Sequence, residues 1–542
     1  MISALFHPHG TSRCRTEEFM ADKKTNAAAI DAGVSDEERE QLKYVHQDRR
    51  YVGTKETVAY LLNDFSNSFN IGGFNNRFIW DVVKIDFRIS AFIGIFTGAW
   101  DIINDSLIGM MVDKTRTRWG KFRPYLVGFQ IPMTLIGSLY WLMPFFFPNT
   151  SATYLPKLIF YFTFNAFTET AGTFTSIART GYMTTITPHP NDRARLIMLA
   201  ELLTGYMGED VPNMVMGVLL DLINNNIIGW KLRNVFLAMG MGTGIISSVF
   251  TLYFFLVSRE RVMQTIERPS IRQGLKAVIN NYPILLITLS NLLGGFSVGA
   301  GIQDYFIDVL GSASLLTLIN FPSGFNGSIS YAFVKPLRAR FSTKALWVAE
   351  DLYTRFWWIL VFIIGSVKQN YRKRLLMCFV IGGQAWFDKW AFGVRKVVNA
   401  ELYNEAMDYC EWKNGYRMEA TTSVARSLLL KIQGIFMGSV RNLLLDKIGY
   451  IQGLTIGTQA DRTKWWLFAM STGVPVLTGI LAVIPKFVYP LSGHKRDRMY
   501  AELLARRQEI ARDVNSADPE KLKELGQQEL EGKFVRHDLF KD

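Results

Sequence analysis

The stretch AWDIINDSLIGMMVDKTRTRWGKFRPYL, Ala99 to Leu126, joins an apolar segment holding two aspartates to a turn crowded with arginine and lysine. Asp101, Asn104 and Asp105 stand at i, i+3 and i+4, so a helix puts all three oxygen-bearing side chains on one face. Gly109, near the end of that helix, permits close approach of a neighbour. Asp113 is placed to bond a helix terminus in one conformation and release it in another. Five Lys/Arg in the eleven residues DKTRTRWGKFR (113–123) suit a tight turn at a membrane surface, where simple charge anchoring is the plainer explanation.

Working outward, the 542-residue chain is 49% hydrophobic and 13% aromatic, and its mean hydropathy is +0.11 even with two polar tails. No polar linker interrupts residues 55–490 in the way that separate soluble domains require. Apolar runs of about twenty residues recur instead, each long enough to cross roughly 30 Å of hydrocarbon as a helix. They fall near 57–79, 89–113, 123–147, 154–182, 196–224, 234–257, 283–309, 313–335, 345–367, 375–400, 419–445 and 464–490. Twelve spans put both termini on one side. The basic loops 113–123, 189–195, 258–276 and 335–344 follow even-numbered spans, which makes that side cytoplasmic. VKQNYRKR (367–374) breaks this rule, since it is basic yet falls outside in the same scheme.

The expected organisation is a cytosolic extension (1–54), a six-helix bundle (55–257), a central cytoplasmic loop (258–282), a second bundle (283–490) and a charged helical tail (491–542). Ser35 and Glu38 would cap a short helix in the extension. The tail would lie on the membrane surface, pack on the loops or stay solvated. The net charge of +13 sits mostly in tails and juxtamembrane loops, so it reads as orientation against an anionic leaflet and not as nucleic-acid binding. Three cysteines, Cys14, Cys378 and Cys410, are expected to be free thiols. The glycine-rich runs 239–244 and 292–301 lie in apolar spans, where close helix packing is the expectation.

The chain lacks a phosphate-loop motif, so uphill work would draw on an ion gradient. All six histidines fall in tails or a loop, which leaves none in the bilayer for a proton relay or metal site. No catalytic triad is readable, and the chain is expected not to be an enzyme. Its intramembrane charges nevertheless cluster. Asp64 lies in the first span, Asp101 and Asp105 in the second, Glu169 and Arg179 in the fourth, Glu201, Glu209 and Asp210 in the fifth, and Arg426 and Lys431 in the eleventh. Such groups are expensive in lipid and usually face a cavity or partner. Two carboxylates one turn apart need a shared proton or a cation between them. Na+ with Asn104 as a neutral ligand is one solution; static pairing with Lys431 or Arg179 is the other.

The stretch 100–126 resembles the second-helix signature of the glycoside–pentoside–hexuronide:cation symporters, the melibiose-permease family of the major facilitator superfamily. NEAMDYCEWKNGYRMEATTSVARSLLLK (404–431) is similar to that family's approach into its eleventh helix, and TTITPHPNDRARL (184–196) is a weaker third match. The resemblance implies that Asp101, Asn104 and Asp105 bind the coupling cation and that Lys431 couples the two halves. It assigns Asp113, Arg116, Gly120, Lys121 and Arg123 to a gating turn, and Asp408, Glu411, Arg417 and Glu419 to the loop before the eleventh helix. The family's sugar-binding carboxylates fall here at Ser68 and Ser176, and its stacking tryptophan at Thr180. Galactoside specificity is therefore not inherited; Asp64 and Arg179 are the alternative substrate contacts.

The resemblance implies the major facilitator fold: an all-α membrane protein of twelve transmembrane helices in two six-helix bundles. The expected function is symport of a sugar or glycoside with Na+ or H+ by alternating access, with no cofactor or resident metal and no nucleic-acid partner. A monomer in the plasma (inner) membrane, both termini cytoplasmic, is expected. An uncoupled facilitator or exchanger, and a membrane sensor using its tails as output, are the alternatives.

Overall fold

The computed structural model describes residues 52–516 except 116, 118, 188–194, 198, 201–203, 205–207, 209, 261–278, 297–300 and 415–418. Its first half contains α1 (Thr54–Ser68), α2 (Phe87–Lys114), α3 (Arg123–Phe146), α4 (Ser151–Thr185), α5 (Asp210–Asn224) and α6 (Leu232–Val257). The second half contains α7 (Tyr282–Gly295), α8 (Ile302–Asp308), α9 (Leu315–Asn320), α10 (Ser323–Ser330), α11 (Val334–Arg340), α12 (Thr343–Ser366), α13 (Arg374–Asp388), α14 (Phe392–Asn414), α15 (Glu419–Lys447), α16 (Asp461–Phe468) and α17 (Val474–Phe487). α18 (His494–Ser516) follows. Among the described residues, five helical segments are long and apolar enough to cross a membrane: Phe87–Gly109, Arg123–Phe146, Leu232–Val257, Ala425–Lys447 and Asp461–Phe487.

Several expected spans are broken. The first stops at Ser68, and short turns of 3-10, α and π type carry the chain from Gly72 to Val83. The seventh ends α7 at Gly295 and restarts at α8, where Asp304 accepts from the Gly301 N–H at 2.9 Å. The glycine-rich stretch there is thus a helix break as well as a packing surface. Gly240, by contrast, lets α6 close directly on the Trp141 indole, as expected. The segment read as a loop before the eleventh span is helical as far as Asn414, where α14 ends, so Asp408 and Glu411 stand on a helix.

Contacts sort the loops into two ends. At one, Asn149 donates to Val82 O, Asn224 accepts from the Ile456 N–H, Gln452 donates to Ile85 O, and Arg372 pairs with Asp461 at 3.0 Å. The basic loop 367–374 is therefore at this end, opposite the tail. At the other end, Glu56 accepts from the Arg259 N–H, Asn281 donates to Ala406 O, Arg338 pairs with Glu401, and Arg496 of the tail pairs with Glu405 at 2.7 Å. α18 buries Met499 and Leu503 in a core with Leu402 and Met407, so the tail packs on the second half.

One aromatic core occupies the first end and draws on both halves, including Phe78, Trp80, Tyr305, Tyr450 and Phe468. Among the described residues, the tail end has two separate cores. Val112, Phe122, Phe174 and Phe254 belong to the first half; Ile284, Trp347, Leu402 and Met499 belong to the second.

Candidate functional site

α2 and α15 meet along their lengths because small residues line the contact. A Cβ on Gly98 would lie 2.5 Å from Ile435, and one on Gly94 would touch Ser439; Ser439 Oγ donates to Ala91 O at 3.0 Å. Such close backbone approach is how helices associate where lipid offers no hydrophobic drive. Past Asp105 the two helices diverge into the separate cores of their own halves: Ile108 and Val112 join one, Ala425 the other.

The polar cage sits where they part. Asp101 is 8% exposed, Asn104 6%, and Asp105 is half-buried. Lys431 of α15 places Nζ 2.5 Å from Asp101 Oδ2 and 2.6 Å from Asp105 Oδ2. Thr173 of α4 donates to Asp105 Oδ1 at 2.9 Å and is 3.3 Å from Asp101 Oδ1. The expected cation residues and Lys431 thus converge, with an ammonium between the carboxylates. Both halves contribute. Thr173 was missed by sequence reasoning, although it stands one turn before Ser176 and shares its helical face.

The expected substrate residues lie nearby on α1 and α4. Asp64 accepts from Thr204 at 2.8 Å, and Ser68 packs against Gly208. Arg179 is within electrostatic reach of Asp64, and its Nε is buried without a hydrogen-bond partner. Ser176 and Thr180 are exposed. A cavity of about 390 Å³ lies inside the first half, bordered by Asn67, Asn70, Gln130, Thr134, Ser138 and Trp141. These lining groups offer hydrogen bonds without formal charge.

The gating turn is held by a residue that the sequence did not single out. Glu260, just after α6, accepts from the Lys121, Phe122 and Arg123 N–H groups, each at 2.8 Å, and so neutralises the N-terminus of α3. Gly120 is at φ +109°, and a Cβ there would meet the Glu260 carboxylate. Arg123 stacks on Phe255 and donates to Phe255 O, while Lys121 lies over the Phe122 ring. Gly109 is buried. Arg116 and Arg417 lie outside the described residues, as do the side chains of Asp113 and Glu419. Asp408 is beside Tyr500 of the tail, and Glu411 O accepts from Arg506.

The opposite end carries a second ionic cluster. Arg77, 2% exposed, donates from Nη1 to Asp308 and to Tyr450 Oη, both at 2.6 Å, and pairs with Asp81 at 2.8 Å. Tyr450 Oη donates to Asp308 at 3.0 Å. Arg441 pairs with Asp304 at 2.6 Å and lies over the Trp80 ring. Arg77 and Asp81 belong to the first half, and the other charged partners to the second.

Two helical halves sealed at one end, parted at the other and joined by a charged cage define a membrane carrier of the major facilitator type. The chain belongs to the MFS/sugar transport protein family, which it matches over residues 60–493. It is accordingly an integral multi-pass membrane protein and not an enzyme. Among its relatives, a protein of Salmonella typhimurium assigned as a sulfoquinovose importer is 23% identical, covering 85% of this chain and 94% of that protein. An Escherichia coli glucuronide carrier protein homolog is 23% identical over 85% and 98%. The isoprimeverose transporter of Lactiplantibacillus pentosus is 23% identical over 76% and 84%. In fold, a bacterial homolog of the human lysosomal transporter Spinster is similar, with a TM-score of 0.50, 14% identity and coverage of 80% of this chain and 95% of that one.

Proposed function

We propose that this carrier moves a sugar or glycoside in symport with Na+ or H+, using the Asp101–Asp105 cage as the coupling site. The observation that carries the reading is the position of Lys431: an ammonium from one half, between two carboxylates of the other, where the halves part. Charge added to the cage alters the attraction across that junction, which is the requirement for coupling ion occupancy to rocking. Asp101 and Asp105 bind the cation with Asn104, and Lys431 responds to occupancy. The relatives named for a sulfoquinovose, a glucuronide and isoprimeverose support a saccharide cargo. Amide and hydroxyl groups on α1, α3 and α4 suit its hydroxyls, and Arg179 suits an acidic substituent.

With the tails cytoplasmic, the sealed end faces outward and the parted end opens to the cell interior. The carrier works as a monomer. A second reading has its own observation: Lys431 already supplies the cage with a cation, as a static pair in an uncoupled facilitator would.

The test is cation movement in de-energised cells, followed with sodium and pH electrodes while glycosides, pentosides, hexuronates and sulfonated sugars are added. An inward pulse with one compound, absent in Asp101→Asn, supports symport and identifies ion and cargo together. Asp101→Asn should abolish accumulation while sparing exchange. Unchanged accumulation would sink the coupling role.

A further inference from the structure

The cavity of the first half is built by α3 and α6, which touch at two posts and stand apart between them. At one post Gly240 takes the Trp141 indole; at the other the Thr134 and Ser248 hydroxyls bond each other, with Gln130 Nε2 3.4 Å from Ser247 Oγ beside them. Gly137 and Gly244 lie between the posts. A Cβ on Gly137 would meet nothing within 4 Å, and one on Gly244 would meet only Thr134, at 3.9 Å. The side chains absent there leave about 390 Å³, within the range of roughly 300–1,000 Å³ found for small-molecule sites. Close-packed interiors rarely keep a void of that size.

The hydrogen-bonding groups around it are of one kind. Ser138 donates to Thr134 O at 2.7 Å, Thr175 to Gly172 O at 2.9 Å and Thr243 to Met239 O at 2.9 Å. A hydroxyl has one proton, so each of these offers the cavity lone pairs alone. Asn67, also on the border, has a buried amide nitrogen without a hydrogen-bond partner. Among the described residues, none of those bordering the cavity is charged and none belongs to the cage. A carboxylate or sulfonate would bring further acceptors to acceptors, and a cation would be buried without a counter-charge. A sugar ring meets neither objection. Its hydroxyls donate to the lone pairs and take one bond from Asn67, while its C–H face covers Phe69, Met133 and Trp141.

We infer that the space between α3 and α6 is a subsite for an uncharged ring of the cargo, with Gly137 and Gly244 setting the size that fits. The inference rests on the saccharide reading above. Asn67 shares a face of α1 with Asp64, three residues earlier, and Thr175 adjoins Ser176 on α4. The subsite is thus continuous with the substrate residues, and the cargo has two rings: one at Asp64 and Arg179, the other inside the first half. Selection of the second ring falls to helices that contribute nothing to the cage.

The probes are neutral disaccharides (isoprimeverose, lactose and maltose) and the methyl glycosides of their component sugars, supplied in labelled form to cells expressing the full chain. At least one disaccharide should be carried with a KM at least about tenfold below those of its methyl glycosides. Gly137→Leu and Gly244→Leu fill the cavity and should reduce that preference at least about tenfold. Ser138→Ala removes one acceptor without crowding; it should reduce the preference several-fold, and it carries the test should the glycine variants not reach the membrane. A disaccharide preference that all three variants retain would overturn this inference alone, as would uptake confined to single-ring glycosides. Binding of two single-ring glycosides per carrier, measured by equilibrium dialysis, would overturn the two-ring cargo by assigning the cavity to a separate sugar. Failure to carry any saccharide, neutral or acidic, would overturn the inference together with the saccharide reading.

Discussion

At one end of the bundle Phe78, Tyr305, Tyr450 and Phe468 share a single core drawn from both halves; at the other, Phe122 and Phe254 belong to one core and Trp347 and Met499 to another. The charges follow the same division. Arg77 reaches across the halves to Asp308 and Tyr450, whereas Glu260 and Glu405 make their bonds within one half each. A carrier that alternates must break the first kind of contact and keep the second. The sealed end is thus the end under tension between stability and turnover, and the tail end is already organised as two bodies.

Removing Arg77 should break this comparison most severely. Arg77→Ala leaves Asp81 and Asp308 buried without their guanidinium, and loss of one partner from a buried pair costs roughly 3–5 kcal/mol. The sealed end should open: labelling of Ser312→Cys by an impermeant thiol reagent rises, and uptake falls at least tenfold. Unaltered labelling would mean that the aromatic core alone closes this end. A smaller effect is expected at the junction of the halves. Gly98→Leu would drive side-chain atoms into Ile435, and overpacking of this kind costs about 1–3 kcal/mol. Uptake should drop several-fold, while Gly128→Leu, placed in open space, should leave the rate unchanged.

The smallest effect belongs to the tail. Arg498 and Trp412 hold the Glu502 carboxyl below its usual range. The sign follows from that direction: the bonds to the carboxylate are made above the usual range, near pH 4.3, and are lost only as pH falls through the lowered value. Hydrogen exchange over 494–506 should therefore stay slow from pH 8 to pH 5. Met499→Asp should accelerate it at every pH without slowing transport. Loss of transport would show that the two-body end depends on the tail and would favour a signalling role for it.

What could be read in the sequence was whatever lipid enforces. Hydropathy located the five helices that, among the described residues, are long and apolar enough to cross a membrane, and the i, i+3, i+4 spacing of Asp101, Asn104 and Asp105 gave a shared face that Lys431 does engage. Helix breaks at Ser68 and Gly295 were hidden because apolar composition continues through them; only the packing of the neighbouring turns sets where the chain leaves the helix. Thr173 and Glu260 were hidden for a different reason. Their partners are distant in sequence, and a lone threonine or a glutamate in a basic loop carries no periodic signal.

The extension of α14 has a mechanical consequence. Its last fourteen residues, from 401 to Asn414, run about 20 Å beyond the apolar part of the tenth span, and α18 braces them through Arg496, paired with Glu405, and Glu502, which accepts from the Trp412 indole. A rigid arm of that length turns a rotation of about 10° into a displacement of about 3–4 Å at its tip. The braced arm is thus a natural pointer, on which a pair of spectroscopic labels would read the angle between the halves from outside the membrane.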